Sequence, residues 1–268
     1  MSNLLEVDAL KIDYPGGHTA FRDVSFSLKR GETLGIVGES GSGKTTLIRS
    51  LINLPSAGAR ISGGRILFGG EETAGFSADE WRRLRGGRIA MIFQNPGASL
   101  NPMVSVRRQF VEAILNHRSM GRQEAEELAL EEIKKLHLKD PPAVLASRPW
   151  QLSGGMKQRV AIGMTLAMNP ELILADEPTS ALDVTTQEAI MDEFNTRRRE
   201  RGTSVIMVSH NICACARIAD RLLVMKDGQV VDYDTTGAIL SRPEGTYAGQ
   251  LLRAVPHLKA TQYEYTAG

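Results

Sequence analysis

The sequence predicts an α/β protein in which a helical lobe interrupts a core built on a mostly parallel sheet. Three observations predict it. Apolar runs of four to six residues alternate with helical stretches, the pattern of buried strands joined by crossover helices. One run ends in a glycine-rich turn that leads into a helix. From about 96 to 168 the strand pattern stops, helical periodicity replaces it, and the strands then resume.

Taken in order, residues 5–12 and 24–29 alternate apolar and polar side chains, as half-buried strands do. Residues 33–37 form a short apolar run ending at Gly38, and 46–53 continue as a helix. Residues 89–93, 172–175 and 204–208 are apolar runs short enough for buried parallel strands. Between the first two, 105–138 is helical: Ala125, Leu128, Ile133 and Leu136 fall near one face, and the charges among them read as a solvated face. Pro141 and Pro142 are expected to break that pattern. Near the end, 222–225 and 229–233 flank Asp227-Gly228, a hairpin signal.

Composition narrows the function. A chain of 268 residues, 42% hydrophobic and 24% charged, suits one large domain or a core with an inserted lobe. A net charge of +1 argues against a nucleic-acid binder, which would be clearly basic. No run approaches the roughly 18 apolar residues that cross a bilayer, and residues 1–11 lack the basic start and apolar run of a secretory signal. The chain is therefore read as soluble, with any membrane role supplied by partners. Cys213 and Cys215 would point about 200° apart on a helix, and are read as small buried or half-buried side chains of a reducing compartment, not a metal or redox pair. The basic runs 81–88 and 197–201 are read as solvated faces near acids. The second precedes Gly202, at a helix C-terminus that favours positive charge.

The chemistry is concentrated in a few short segments. Gly38, Glu39, Ser40, Gly41, Ser42, Gly43, Lys44 and Thr45, followed by Thr46, match the P-loop pattern G-x-x-x-x-G-K-[ST] between a strand and a helix. Glycines let successive backbone N–H groups curl around a phosphate, and a helix start adds partial positive charge. Lys44 can then reach the β- and γ-phosphates of a nucleotide, and the Thr45 hydroxyl can take Mg²⁺. The run 172–175 ends in Asp176 and Glu177. These can be a Mg²⁺-holding carboxylate and a base that polarises water, or two acids that merely end a strand. Ser153 is a good N-cap, and Gly154-Gly155 leave bare N–H groups at the start of a helix over 156–168, a second anion site.

Together with Leu152-Ser-Gly-Gly-Met156, Gln94, the run Asp176-Glu-Pro-Thr-Ser-Ala-Leu-Asp183 and His210, these motifs resemble the ATP-binding-cassette (ABC) ATPases over nearly the whole chain. The resemblance implies a P-loop NTPase core with an N-terminal antiparallel β subdomain. Residues 1–95 and 169–236 would form the ATP-binding core, 96–168 the helical lobe carrying the signature, and 237–268 a C-terminal extension. It implies ATP and Mg²⁺ as ligands. Tyr14 would stack on adenine, the alternative being a half-buried strand tyrosine. Thr45, Asp176 and Gln94 would hold Mg²⁺, and Gln94 would also touch the attacking water. Glu177 would activate that water, and His210 would contact the γ-phosphate. Ser153, Gly154, Gly155 and Asp183 would reach across a head-to-tail pair to the nucleotide of a second cassette.

The stretch Phe93-Gln-Asn-Pro-Gly-Ala-Ser-Leu-Asn-Pro102 and the ending over 245–256 resemble the oligopeptide, dipeptide and nickel importers. That resemblance implies a second, identical or related ATPase chain, two transmembrane permease subunits and an external solute-binding protein, with this chain peripheral on the cytoplasmic face of the membrane. Uptake of nickel or a metal chelate is the alternative cargo. A non-transport ABC ATPase of DNA repair or translation fits less well, because neither a coiled-coil insert nor a tandem cassette is present. Two features depart from the subfamily. No cysteine follows Cys215, so the iron–sulfur segment of many members is not expected, and Trp150 stands where a histidine is usual.

Overall fold

A computed structural model describes residues 3–55, 58–180 and 182–254 of the chain. The elements run β1 (Asn3–Asp13), β2 (Thr19–Lys29), β3 (Thr33–Val37), α1 (Lys44–Ser50), β4 (Arg60–Phe68), β5 (Glu71–Glu72), α2 (Ala78–Leu84) and β6 (Ile89–Ile92). The lobe follows as α3 (Val106–His117), α4 (Arg122–Lys135), α5 (Pro141–Ala146) and α6 (Gly154–Ala167). The core resumes with β7 (Leu172–Asp176), α7 (Val184–Arg201), β8 (Ser204–Ser209), α8 (Ile212–Ala216), β9 (Arg221–Lys226), β10 (Gln229–Thr235), α9 (Thr236–Leu240) and α10 (Tyr247–Ala254).

Two sheets organise these elements. The larger has the order β10-β9-β3-β8-β7-β6, parallel except for the antiparallel edge strand β10. Strands β3 and β7 are buried at every residue, and β8 at all but its last, as expected of strands covered on both faces. The smaller sheet, β2-β1-β4-β5, is antiparallel. Its inward side chains, among them Leu5, Phe21 and Phe68, share one core with Leu34 and Ile36 of β3 and Leu47 of α1. The opposite face of the large sheet packs against α6, α7, α8 and the C-terminal helices, and the lobe has its own core around Phe110, Ile133 and Val160.

The parallel strands and the terminal hairpin lie where the sequence pattern puts them, and helices α3–α6 fall between β6 and β7. Asp227 and Gly228 both adopt positive φ, 48° and 73°, as a tight hairpin turn requires. Several readings are corrected. Strands β4 and β5 and helix α2 were not anticipated. The stretch 105–138 is two helices, interrupted after His117. Pro141 and Pro142 start a helix instead of only breaking one, because proline is tolerated in the first turn, where no N–H partner is lost. The charged face of α4 is not wholly solvated. Glu132 is 1% exposed and accepts from Arg197 of α7, itself buried, which also donates to Glu193 at 2.8 Å. One arginine of the second basic run thus ties the lobe to the core. In the first run Arg85 donates to the Ile52 and Asn53 carbonyls, and Arg88 pairs with Glu171.

No helix among the described residues is long and apolar enough to cross a membrane. Cys213 is half-buried and Cys215 buried, and burial pushes both thiols up. Residues 255–268 of the expected extension, and Ala181 in the run toward Asp183, lie outside the described residues.

Candidate functional site

The site forms where β3, β7 and β8 end side by side. Val37 of β3 pairs with Ser209, and Asp176 of β7 pairs with Val208. The residues following each strand therefore emerge at one edge, as expected for ligand sites at the C-terminal ends of parallel strands.

After β3 the chain curls through 38–43 before α1. Gly41 and Gly43 hold φ of 83° and 98°, in the left-handed region that favours glycine. Gly38 is needed for a different reason: a Cβ there would lie 2.1 Å from the Met225 carbonyl oxygen. Lys44, only 6% exposed, turns back over the loop. Its Nζ donates to the carbonyls of Gly38 at 2.8 Å and Glu39 at 2.6 Å and to the Ser42 hydroxyl at 3.3 Å. None of these three acceptors is an anion, so the ammonium keeps its charge available for a phosphate. Burial pulls its pKa down, and the Glu177 and Asp176 carboxylates oppose that pull.

Across the cleft, Thr45 Oγ1 donates to Asp176 Oδ1 at 2.9 Å. Asp176 is 1% exposed, and its other oxygen, Oδ2, has no hydrogen-bond partner. Burial pushes this carboxyl above its ordinary value, with Thr45 pulling the other way. An orphaned, buried carboxylate oxygen beside a threonine hydroxyl is what a hard cation with oxygen ligands would satisfy.

Glu177 follows with φ of 48°, left-handed and costly by about 1–2 kcal/mol for a residue with a Cβ. Its N–H still donates to the Val208 carbonyl at 3.0 Å, so the ladder fixes its backbone while the turn re-aims its side chain. The carboxylate lies 3.4 Å from His210 Nδ1 on one oxygen and accepts from Gln94 Nε2 at 3.4 Å on the other. Gln94, from the end of β6, and His210, from the end of β8, are thus brought to one acid. With Lys44, Thr45 and Thr46 they line an open cleft of about 450 Å³.

The cleft's far wall is aromatic. Tyr14 hydrogen-bonds Thr46 through their hydroxyls at 3.0 Å and lies nearly parallel to the His18 ring, with centroids 6.1 Å apart. His18 and Ala20 line the same cleft and were not anticipated from sequence. The available signal was the Pro15-Gly16-Gly17 turn, which returns the chain beside Tyr14, with the Tyr14 N–H donating to the His18 carbonyl at 2.7 Å.

Ser153, Gly154, Gly155 and Asp183 do not line this cleft. Ser153 caps α6, accepting from the Met156 N–H at 3.3 Å. A Cβ on Gly154 would meet nothing within 4 Å, so the first turn of α6 is open, and one on Gly155 would meet Leu182 at 3.2 Å. Asp183 caps α7, accepting from the Thr186 N–H at 3.0 Å and hydroxyl at 2.8 Å, which hold its carboxyl below the usual range. The glycine-rich loop before α1 and the first turn of α6 therefore do not share one cleft. Trp150 is 60% exposed in a short turn before α6, and nothing in the structure explains it.

Residues 21–180 match the family model described as ABC transporter. The chain is 41% identical over 260 residues to the oligopeptide transport ATP-binding protein OppD of Escherichia coli, covering 96% of this chain and 77% of that protein. It is 40% identical over 230 residues to the metal-staphylopine import system ATP-binding protein CntD of Staphylococcus aureus, covering 86% and 84%. Among solved structures it resembles the dimeric, post-hydrolysis state of the ATP-binding cassette MJ0796 bound to ADP and Pi, with a TM-score of 0.78 and 31% identity over 87% of this chain and 98% of that one. Strand-end geometry, cradle and sequence likeness agree: the chain belongs to the ABC transporter family, as one of its ATP-binding, ATP-hydrolysing subunits.

Proposed function

We propose that this chain is one half of the ATPase pair of an importer, driving uptake of peptides or a related small solute through two separate permease subunits fed by a solute-binding protein. The observation that carries the reading is the convergence of Gln94, Glu177 and His210 on one point beside the Lys44 cradle, while Ser153–Gly155 open elsewhere. A single chain would thus offer a nucleotide's cradle and, outside that cleft, an anion site for a second nucleotide. That arrangement favours two cassettes, identical or related, paired head to tail with ATP between them, and with Asp183 reaching toward the partner. Residues 96–168 would be the lobe that meets the permeases, and the chain would sit at the cytoplasmic face of the membrane.

Each residue has a task. Tyr14 would hold adenine, and residues 38–46 the phosphates. Thr45, Asp176 through water, and Gln94 would hold Mg²⁺, whose charge offsets that of the phosphate oxygens; the unpartnered Asp176 Oδ2 supports this. Glu177 would accept a proton from a water held with Gln94. That water's oxygen bonds to the γ-phosphorus as the bond to the ADP oxygen breaks, giving ADP and phosphate. His210 would stabilise the γ-phosphoryl oxygens.

Glu177→Gln keeps the shape and removes the base. It should bind ATP with near wild-type affinity and lose hydrolysis by about 10²-fold or more. Hydrolysis at the wild-type rate would sink the assignment. A metal–chelate cargo is the second reading, favoured by the likeness to the metal-staphylopine ATPase. A binding screen on the cognate solute-binding protein distinguishes the two.

A further inference from the structure

The C-terminal helix α10 reaches the phosphate cradle. The Tyr247 hydroxyl, at the start of α10, accepts from the Glu39 backbone N–H at 3.2 Å. The ring is held on its other side by Lys226, whose Nζ lies 4.8 Å from the centroid, at the end of β9. Tyr247, Leu251 and Leu252 pack against the core cluster that contains Ile212 and Cys215, and α10 lies against α8, the helix that begins two residues after His210. One short helix therefore touches both the loop that would cradle the phosphates and the helix that follows the γ-phosphate histidine.

The Glu39 bond matters because of what happens on the other side of that residue. The Glu39 carbonyl accepts from Lys44 Nζ at 2.6 Å. A phosphate taken by Lys44 would compete with that contact. Glu39 is then held by the Ser42 N–H, at 3.3 Å from its carbonyl, and by Tyr247. A loop whose N–H groups must already point at an anion binds it without first paying for ordering.

We propose that Tyr247 is a positioning residue for the cradle, so that docking of α10 and affinity for ATP are linked. The proposal rests on the nucleotide reading of the cradle given above. Linkage is reciprocal: if a docked α10 tightens ATP binding, bound ATP must hold α10 down by the same factor.

The test uses the purified full chain, a fluorescent ATP analogue, and hydrogen exchange of the 247–254 amides with and without ATP. Tyr247→Phe keeps the ring beside Lys226 and on the same core cluster and removes only the hydroxyl. One hydrogen bond predicts a roughly 3- to 10-fold weaker Kd, with the thermal midpoint of the nucleotide-free chain unchanged. Where hydrolysis is measured, KM for ATP should rise by that factor and kcat should hold, since the contact is the same before and during the reaction. In the unmodified chain ATP should slow exchange across 247–254, and in the variant it should not. Wild-type affinity in Tyr247→Phe, while Lys44→Ala weakens binding, overturns the proposal alone, as does exchange in the unmodified chain that ignores ATP. If Lys44→Ala also binds normally, the cradle reading fails and the proposal fails with it.

Discussion

Asp176 shows how a single residue can be wrong for stability and right for a ligand. It is buried, one oxygen is unpartnered, and burial raises its pKa above the usual 3.8. A carboxyl shifted that way favours the folded state when protonated. Its favourable contribution is fully present below the unfolded-state value and is lost as pH rises through the folded one. Asp176→Asn should therefore stabilise the nucleotide-free chain by about 1 kcal/mol at neutral pH, with the gain shrinking in acid, while hydrolysis is lost. Urea melts at two pH values read this directly. A neutral-pH loss of stability would mean that Lys44 and Arg49 more than offset the burial. The opposite case is Glu132, whose buried charge is matched by Arg197. Glu132→Ala leaves that buried guanidinium with Glu193 but without its Glu132 partner and should cost about 1–3 kcal/mol by denaturant unfolding. A cost under 1 kcal/mol would show that water reaches the pair. The motif residues were legible in sequence because their chemistry is written in contiguous runs. Glu132–Arg197 and Glu39–Tyr247 were not, because each joins residues far apart in the chain, and periodicity reports a face without naming what covers it.

At the scale of elements, the fully buried strands were legible for a simple reason. β3, β7 and β8 are short and mostly apolar, so no choice of register or face was needed. β4 was hidden by its own irregularity. It runs Arg-Ile-Ser-Gly-Gly-Arg-Ile-Leu-Phe, and a Gly-Gly pair inside a polar stretch reads as a turn. The structure shows why it is a strand instead. β1 shifts register between Asp8 and Lys11 against β4, Ala9 adopts φ of 45°, and Gly64 adopts φ of 77° opposite it. A Cβ on Gly64 would lie 2.4 Å from the Ala9 carbonyl oxygen, so the glycine lets one strand pass the other's bulge. The start of α6 and the end of α7 were better marked, since Ser153 is a strong N-cap and Gly202 closes α7 with φ of 66°; the structure adds Asp183 as the cap of α7. The same caps fix where the two segments proposed to face a partner cassette begin.

At the scale of the whole molecule, the first turn of α6 lies outside the cleft around Lys44, so single-chain and assembled measurements should respond differently to a change there. Gly154 sits at the open first turn of α6, with space for a side chain and no left-handed requirement. An aspartate there is tolerated by the fold, and at a helix N-terminus it is mildly favourable. Gly154→Asp should then leave the folding stability of the chain and its Kd for ATP unchanged, because residue 154 does not line the cleft around Lys44. In the assembled transporter the new carboxylate would face the γ-phosphate bound to the other cassette. Like charges at that range oppose closure, so hydrolysis and uptake should fall by at least tenfold, equivalent to about 1.4 kcal/mol. Equilibrium nucleotide titration of the lone chain, beside ATPase activity of the reconstituted complex, separates the effects. If Gly154→Asp weakened ATP binding by the lone chain as much as Lys44→Ala does, the signature would belong to the chain's own site. The head-to-tail pairing would then lose its structural basis.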